Sequence, residues 1–197
     1  MNKTLGEEDL DVLFRRARTH RSWRDERVTG DLLGAVYDLA KWGPTTNNTC
    51  PARFFFVVSG AAKQRLKPHL NPGNVVQTMA APATAIIAYD LAFYEYMPKL
   101  SPKPGARESW QKRSPAELQE AAFRNGSLQA GYFIIAARAL GLDCGPMSGF
   151  DNTGVDREFF SGTAVKSNLL CNLGYGDGAS MRPRAGRLDF SEACRIL

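Results

Sequence analysis

The sequence has little of what metal sites, disulfide frameworks and membrane spans are built from. It contains only 2 histidines, His20 and His69, and 4 cysteines, none of them in a C-x-x-C pair. Structural zinc sites need closely spaced Cys or His ligands, and a disulfide framework needs a denser set of cysteines. No apolar run approaches the roughly 18 residues that cross a bilayer, and the charged start is unlike a signal peptide. We therefore expect no metal, reduced thiols, no membrane partner and a cytoplasmic location.

Several nucleotide-binding and hydrolase motifs are also missing. No G-x-G-x-x-G follows a strand pattern, and no G-x-x-x-x-G-K-[ST] occurs. Ser148 does not stand in a G-x-S-x-G elbow, and Cys50 has no histidine partner that the sequence can support, so we interpret it as a loop thiol. These absences argue against dinucleotide-fold, phosphate-loop and serine hydrolase classes.

What is present describes an ordinary globular chain with an unusual charge distribution. With 197 residues, 44% of them hydrophobic and 23% charged, residues 1–197 are expected to form a single domain. The formal net charge is +5, and the basic residues cluster at 15–27 and 182–187. Two local clusters favour a site for a small anion over a nucleic-acid surface.

Hydrophobic periodicity indicates alternating helices and strands. Amphipathic helices are predicted at 5–18 and 29–41, and buried strands at 54–58, 83–89 and 165–173. Ser114-Pro-Ala-Glu117 is a capping box with proline at the first helical position, so a long helix should begin there and end near Gly141. Its second half is apolar on nearly every side, which predicts a buried central helix. The pattern is that of an α+β or three-layer α/β chain.

Four segments carry side chains suited to ligand binding. The residues are the basic stretch Arg18–Arg24, the turn-forming loop Gly43–Asn48, the stretch Gly145–Asp151, and the pair Arg182 and Arg184. Arginine forks can hold phosphate oxygens bidentately, and small polar loops allow close approach of a flat ring. Taken singly, a solvated basic turn or an ordinary helix-to-strand connection explains these segments equally well.

Their order resembles the nitroreductase-like family of FMN oxidoreductases over nearly the whole chain. The longest matching stretches are 79–82, 122–129, 145–152, 172–177 and 182–184. Within the family they are most similar to a subgroup of malonic semialdehyde reductases and NADH dehydrogenase/NAD(P)H nitroreductases. One departure is that many relatives have arginine where this chain has His20.

The resemblance implies a fold, a cofactor and a reaction. The fold would be α+β, a three-layer α/β/α arrangement whose mixed, mainly antiparallel sheet is flanked by helices and a long buried central helix. The protein would be a homodimer with FMN near the subunit interface. NADH or NADPH would pass a hydride to FMN in a ping-pong cycle, and the acceptor would be a small organic molecule, above all malonic semialdehyde, giving 3-hydroxypropionate.

The resemblance also implies which residues hold the cofactor. They are His20, Arg21, Ser22, Arg24, Pro44, Thr45, Thr46, Asn47, Asn48, Asn74, Pro146, Met147, Ser148, Gly149, Arg182 and Arg184. The basic residues would hold the phosphate, and the others would line the ring and ribityl chain. The flavin carries the chemistry, so no catalytic acid or base is assigned. Arg124 is either an interface cation, which we favour, or an anchor for a substrate carboxylate.

Three alternatives remain open on the sequence. The chain could be a broad quinone or nitroaromatic reductase, a flavin-binding protein without reductase turnover, or a basic nucleic-acid-binding module without a cofactor; we favour no nucleic-acid partner.

Overall fold

The computed structural model describes residues 3–178 and 181–197, and a four-stranded antiparallel sheet lies at its centre. The strands are β1 (Ala52–Val57), β2 (Ala83–Asp90), β3 (Asp143–Met147) and β4 (Val165–Gly174), in the spatial order β1-β2-β4-β3. The helices are α1 (Glu7–Leu10, extended by a π-helical turn Asp11–Arg15), α2 (Gly30–Ala40), α3 (Gly60–Leu66), α4 (Pro72–Ala80), α5 (Met97–Leu100), α6 (Ala106–Gln111), α7 (Pro115–Ala139), α8 (Asn152–Phe160) and α9 (Phe190–Ala193).

Helices cover both faces of the sheet, because strand β2 is buried along its whole length. Successive side chains of a strand point to opposite faces. Ala85 and Ile87 therefore pack with α2 and α7 on one face, while Ile86 and Ala88 pack with α3 and α8 on the other. The predicted three-layer α+β architecture is confirmed. The sheet itself is antiparallel, and the parallel pairing found among the described residues is a single bridge between Thr19 and Cys144.

Helix α7 crosses one face of the sheet and begins at the predicted capping box. Ser114 accepts a hydrogen bond from the Glu117 N–H, and the Glu117 side chain accepts one from the Ser114 N–H. One stripe of the helix, which includes Phe133, is buried against the sheet, but Leu128 is 45% exposed and Tyr132 41% exposed. The expectation of burial on nearly every side is therefore met only on the stripe that faces the sheet, since one sheet can cover only one side of a helix.

Two elements differ from expectation. The helix expected at 5–18 is broken after Leu10 into a π-helical turn that ends at Arg15. Residues 143–147, for which no strand was predicted, form the edge strand β3, where Pro146 is tolerated because its missing N–H faces away from the ladder. In the described ranges, none of the helices combines the length and apolar character that a membrane crossing requires.

Candidate functional site

Residues 18–24 form an arm that closes over the ends of β3 and β4. The His20 N–H donates to the Cys144 carbonyl at 3.1 Å, and the Arg24 N–H donates to the Tyr175 carbonyl at 2.8 Å. Thr19 and Trp23 pair with Cys144 and Gly176 in isolated bridges. The backbone of the basic stretch is thus held by hydrogen bonds, so the role of each side chain depends on the direction in which it points.

Two side chains of the arm point inward onto glycines. The His20 ring packs on Gly176 so closely that a methyl group there would overlap it, and its Nε2 lies 3.3 Å from Oδ1 of Asp143. The Trp23 ring packs on Gly174, and its Nε1–H donates to the Gln77 carbonyl at 3.0 Å. The His20 side chain is only 10% exposed. The structure therefore directs His20, a predicted cofactor contact, toward a carboxylate.

The C-terminal tail is bonded to this arm. Arg18 donates to the Arg182 carbonyl and to the sulfur of Met181, the latter at 3.2 Å. Arg184 Nη2 donates to the carbonyls of Arg15 and Ala17 at 2.6 and 2.9 Å. The two basic clusters, which lie more than 150 residues apart in sequence, are thus brought together.

A cleft of about 710 Å³ lies between the arm and the tail. Seven arginines line it: Arg15, Arg18, Arg21, Arg138, Arg182, Arg184 and Arg187. Arg15 is paired with Glu7 and Asp11, and its pKa is raised by the hydrogen bonds to Asp11 and Glu7. Within residues 3–178 and 181–197, no carboxylate forms an ion pair with the other six. The cleft is therefore strongly positive and suited to an anion.

One buried donor at this cleft lacks a partner. The Arg138 Nη1 donates to the Leu13 carbonyl at 3.0 Å, but its Nε is buried with no hydrogen-bond partner among the described residues. Buried donors are nearly always satisfied. Arg138 lines the arginine-rich cleft as well, and sequence reasoning did not single it out.

The arm also carries a hydroxyl at the cleft's edge. The Ser22 hydroxyl donates to the Asp177 carboxylate. Asp177 lies just after the glycines that support the arm, so its carboxylate adds one negative charge next to the cluster of arginines.

A third predicted segment lies beside the arm. Asn74, on α4, donates from Nδ2 to the Gly149 carbonyl at 2.8 Å and accepts from Gln77 Nε2 at 2.6 Å. The Thr78 hydroxyl lies 3.6 Å from the Met147 sulfur, and Ser148 is exposed. Because Trp23 is bonded to α4, the arm, α4 and Pro146–Gly149 at the end of β3 form one continuous surface.

Helix α4 is held by a buried lysine. Lys63 Nζ donates to the carbonyls of Met79, at 3.2 Å, and Ala81 at the end of α4. Burial lowers the pKa of Lys63. Its role is to satisfy the carbonyls at the helix terminus and so to fix the element that carries Asn74.

The loop Pro44–Asn48 lies elsewhere. The Thr46 N–H donates to Asn125 Oδ1 at 2.8 Å, and Asn48 Nδ2 donates to the Leu100 carbonyl at 2.9 Å. Asn47 and Asn48 adopt the left-handed conformation, with φ of 51° and 55°, which asparagine tolerates well. The loop leads into Ala52 at the start of β1.

Strand register gives the separation between this loop and the arm. Ala52 lies opposite Tyr89, which lies opposite Lys166 on β4, while the arm is bonded beyond Gly174 at the other end of β4. Two strand spacings and eight residues along β4 amount to roughly 28 Å. A single chain therefore does not bring Pro44–Asn48 together with the other predicted contacts.

Arg124 lies on the outer side of α7. Its side chain is 71% exposed and is paired with Glu120 one turn earlier. The side chain thus faces away from the sheet and from the arginine-lined cleft.

Sequence reasoning missed the residues that support the arm. Trp23, Asp143, Gly174 and Gly176 orient it, and the signal available was the glycine at alternate positions of one strand end, Gly174-Tyr-Gly176. Glycines that recur on one face of a strand mark a close approach by another segment.

Comparison with known proteins adds to this geometry. A family profile described as "Nitroreductase family" matches residues 14–175. A protein of Stenotrophomonas maltophilia is 55% identical over 196 residues, covering 100% of both chains, and one of Burkholderia lata is 54% identical over 193 residues, covering 98% of both. Both carry the provisional name NADH dehydrogenase/NAD(P)H nitroreductase. The crystal structure of a nitroreductase in complex with FMN from Exiguobacterium sibiricum has a TM-score of 0.86 over 100% of both chains at 16% identity, a likeness of fold.

Proposed function

This chain belongs to the nitroreductase family and works as an FMN-dependent NAD(P)H oxidoreductase; from that premise we propose that it reduces malonic semialdehyde to 3-hydroxypropionate at sites shared by two subunits. The observation that carries the proposal is the arginine-lined cleft where the arm meets the C-terminal tail. Residues 1–197 act as a single FMN-binding domain. The cysteines, all free, suit a reducing cytoplasm.

The residues present fit the phosphate end of FMN. Six cleft arginines without carboxylate partners offset a phosphate dianion, and Arg21 supplies a charged donor next to Ser22, whose hydroxyl would have to turn from Asp177 to the phosphate. Arg138 lines the same cleft and adds its positive charge. His20 acts from behind the arm, since its ring faces Asp143, and so it positions Arg21 and Ser22 rather than binding the phosphate itself.

The ring end of the cofactor fits the surface formed by α4 and the end of β3. Asn74 presents an amide whose orientation is fixed by Gly149 and Gln77. Gly149 lacks a side chain where the amides of Asn74 and Asn71 pack against it, and its backbone N–H is our candidate donor for negative charge on the pyrimidine edge. FMN, when bound, supplies hydride transfer from NAD(P)H to the acceptor. The chain's task is to bind, to orient and to limit access of water.

The second subunit completes the site. Pro44–Asn48 lies roughly 28 Å from the arm of its own chain, a distance longer than one FMN molecule, so a partner's loop has to reach the ring if this segment lines it. The exposed apolar side chains of α7, among them Phe123, Leu128 and Tyr132, offer a surface for that partner. Arg124 lies on the same stripe, which supports its role as an interface cation.

The acceptor follows from chemistry as well as from resemblance. FMN phosphate occupies two or three cations, and the remaining positive charge of the chain favours an acceptor that bears a carboxylate. The second candidate is a broad quinone or nitroaromatic reductase, favoured by the provisional nitroreductase names of the relatives.

Spectroscopy and kinetics test both statements. The purified protein should be yellow and should contain one FMN per subunit. Oxidation of NADH and NADPH is then measured with malonic semialdehyde, propanal, menadione and nitrofurazone. A far higher kcat/KM for malonic semialdehyde than for propanal supports the carboxylate-bearing acceptor; equal values, or activity with quinones and nitroaromatics alone, leave the broad reductase in its place.

A further inference from the structure

A second cavity of about 310 Å³ opens where residues 97–110 pack against the loop Pro44–Asn48. Its apolar walls are Met97, Leu100 and Trp110, and its polar lining includes Asn47 and Ser109. Ligand cavities for small molecules begin near this size, with mostly apolar walls and a few polar groups that fix orientation. The volume suits a molecule of a few heavy atoms beside a ring, rather than a dinucleotide.

The cavity is firmly placed next to the loop. Asn48 Nδ2 donates to the Leu100 carbonyl at 2.9 Å, which ties α5 to the loop. Trp110 stacks edge-on against buried Phe93, with ring centroids 5.1 Å apart. A molecule that occupies the cavity therefore touches both Asn47 and the segment 97–110.

Lys103 is the one charged residue lining this cavity. Its backbone is fixed, because its N–H donates to the Ser101 hydroxyl at 3.3 Å and its carbonyl accepts from the Ala106 N–H at 3.2 Å. Its ammonium group has no hydrogen bond or ion pair within the described part of the chain.

Two neighbouring arginines, by contrast, are already neutralised, and Lys99 lines a different cavity. Arg107 is paired with Glu95 at 2.7 Å and Arg53 with Asp90 at 2.8 Å. Arg124, an earlier candidate for a substrate anchor, is paired with Glu120 on the outside of α7. The arginines of the cleft lie at the arm, at the opposite end of the sheet from this loop. Lys103 is thus the cation that a small anion in the cavity can reach.

We propose that this cavity is the acceptor subsite and that Lys103 binds the carboxylate of a short oxo acid, while the apolar walls hold its carbon chain. The inference rests on the proposed function, because it assumes that Pro44–Asn48 lines the ring. Asn47 then lies between the ring and the carboxylate, so Lys103 selects short-chain acids over neutral aldehydes by charge.

The test uses a probe that binds without reacting. Propionate is assayed as an inhibitor of NAD(P)H-dependent menadione reduction, with neutral propionamide as its analogue. The variants are Lys103→Met, which keeps the stem and removes the charge, Lys103→Arg, and Lys112→Met as the matched control, since Lys112 is an exposed lysine that does not line this cavity. Bound FMN is quantified for each protein.

Lys103→Met should raise the inhibition constant of propionate about tenfold, as expected for loss of a charge-assisted bond. Lys103→Arg and Lys112→Met should stay near the wild-type value, and the constant for propionamide should not change. The kcat/KM for malonic semialdehyde should fall by a similar factor through KM.

The outcomes separate this inference from the proposed function. If propionate inhibition depends on Lys103 but the enzyme does not reduce malonic semialdehyde, Lys103 still binds the carboxylate and malonic semialdehyde is excluded as the acceptor. If wild type and Lys103→Met reduce malonic semialdehyde with equal KM, Lys103 does not bind its carboxylate, while malonic semialdehyde remains the acceptor. Loss of FMN from Lys103→Met assigns Lys103 to the cofactor and overturns the inference. A wild-type enzyme that reduces neither menadione nor malonic semialdehyde overturns both.

Discussion

At the scale of single residues, the direction of each side chain in the arm decides its role. His20 and Trp23 are directed inward by the absence of side chains at Gly176 and Gly174, and Arg21 is left to line the cleft. Charge composition alone does not distinguish an inward histidine from an outward arginine, because the partners come from a strand more than 100 residues later. The supporting and the binding residues of the arm make different predictions.

Replacing the two binding residues together should weaken the cofactor. Arg21→Ala combined with Ser22→Ala removes a charged and a neutral phosphate donor, and charge-assisted bonds contribute about 1.5–3 kcal/mol each. The FMN dissociation constant, measured by quenching of flavin fluorescence, should rise at least tenfold. Arg157→Ala is the control, since Arg157 is exposed on α8 and does not line the cleft. An unchanged constant in the double variant would remove the arm from the phosphate site.

Replacing a supporting residue should act indirectly. Gly176→Ala forces the His20 ring away from its seat, and overpacking of this kind costs about 1–3 kcal/mol of unfolding free energy. Both urea-measured stability and FMN affinity should fall. Gly34→Ala is the control, because nothing lies within 4 Å of an added methyl group there. Reduced stability with wild-type FMN affinity would confine Gly176 to a structural role.

At the scale of elements, the sequence pattern located the helices and strands whose hydrophobic periodicity lies within the element itself. Strands β2 and β4 and helix α7 begin within about one residue of their predicted starts. Strand β3 was missed because Gly145 and Pro146 are typical of loops, and only the ladder with β4 makes the segment extended. The break after Leu10 was missed because apolar periodicity continues through it. Likewise, the separation between the loop Pro44–Asn48 and the arm follows from the strand register, which the sequence pattern does not give.

The start of α7 predicts a pH dependence. Hydrogen bonds from the Ser114 backbone, then from Arg113 and the Ser114 hydroxyl, lower the pKa of Glu117 to about 2. A carboxylate with a lowered folded-state pKa stabilises the fold above its ordinary value of 4.5, and that contribution is lost as the pH falls toward about 2. The difference in unfolding free energy between wild type and Glu117→Gln should therefore be largest above pH 4.5 and should shrink in acid. A difference that is constant down to pH 2.5 would contradict the capping role of the charge.

At the scale of the whole molecule, we propose that two chains share each site. The arm, α4 and the end of β3 lie at one end of the sheet, and Pro44–Asn48 lies at the diagonally opposite end. The resemblance supplied both lists of residues, but the registers between β1, β2 and β4 are what separate them in one subunit.

Mixed dimers should reveal this division. A subunit with Arg21→Ala and Ser22→Ala lacks the arm's donors, while a subunit with Asn47→Gly lacks a ring-lining amide yet keeps the left-handed backbone that glycine adopts freely. Each variant alone should have low activity. Unfolding and refolding the two together should restore activity, because a hybrid dimer contains one intact site; about a quarter of all sites are then intact. Activity that stays at the average of the two variants would place every contact within one chain.

Because the cleft lies between the arm and the tail, a cofactor that binds there would also hold the two ends of the chain together. Arg18 and Arg184 join segments separated by more than 150 residues, and they do so through neutral carbonyls while the guanidinium charges around them repel each other. An anion in the cleft relieves that repulsion. It thereby offsets part of the entropy cost of closing so long a loop, which is on the order of several kcal/mol. In the absence of FMN the tail should detach first, and trypsin should cut after Arg184 and Arg187, but not after Arg182, which precedes Pro183, well before it cuts the sheet-bearing core. Inorganic phosphate alone should slow that cleavage. The lifetime of the apoprotein in a cell would then depend on the concentration of phosphate as well as on the supply of FMN.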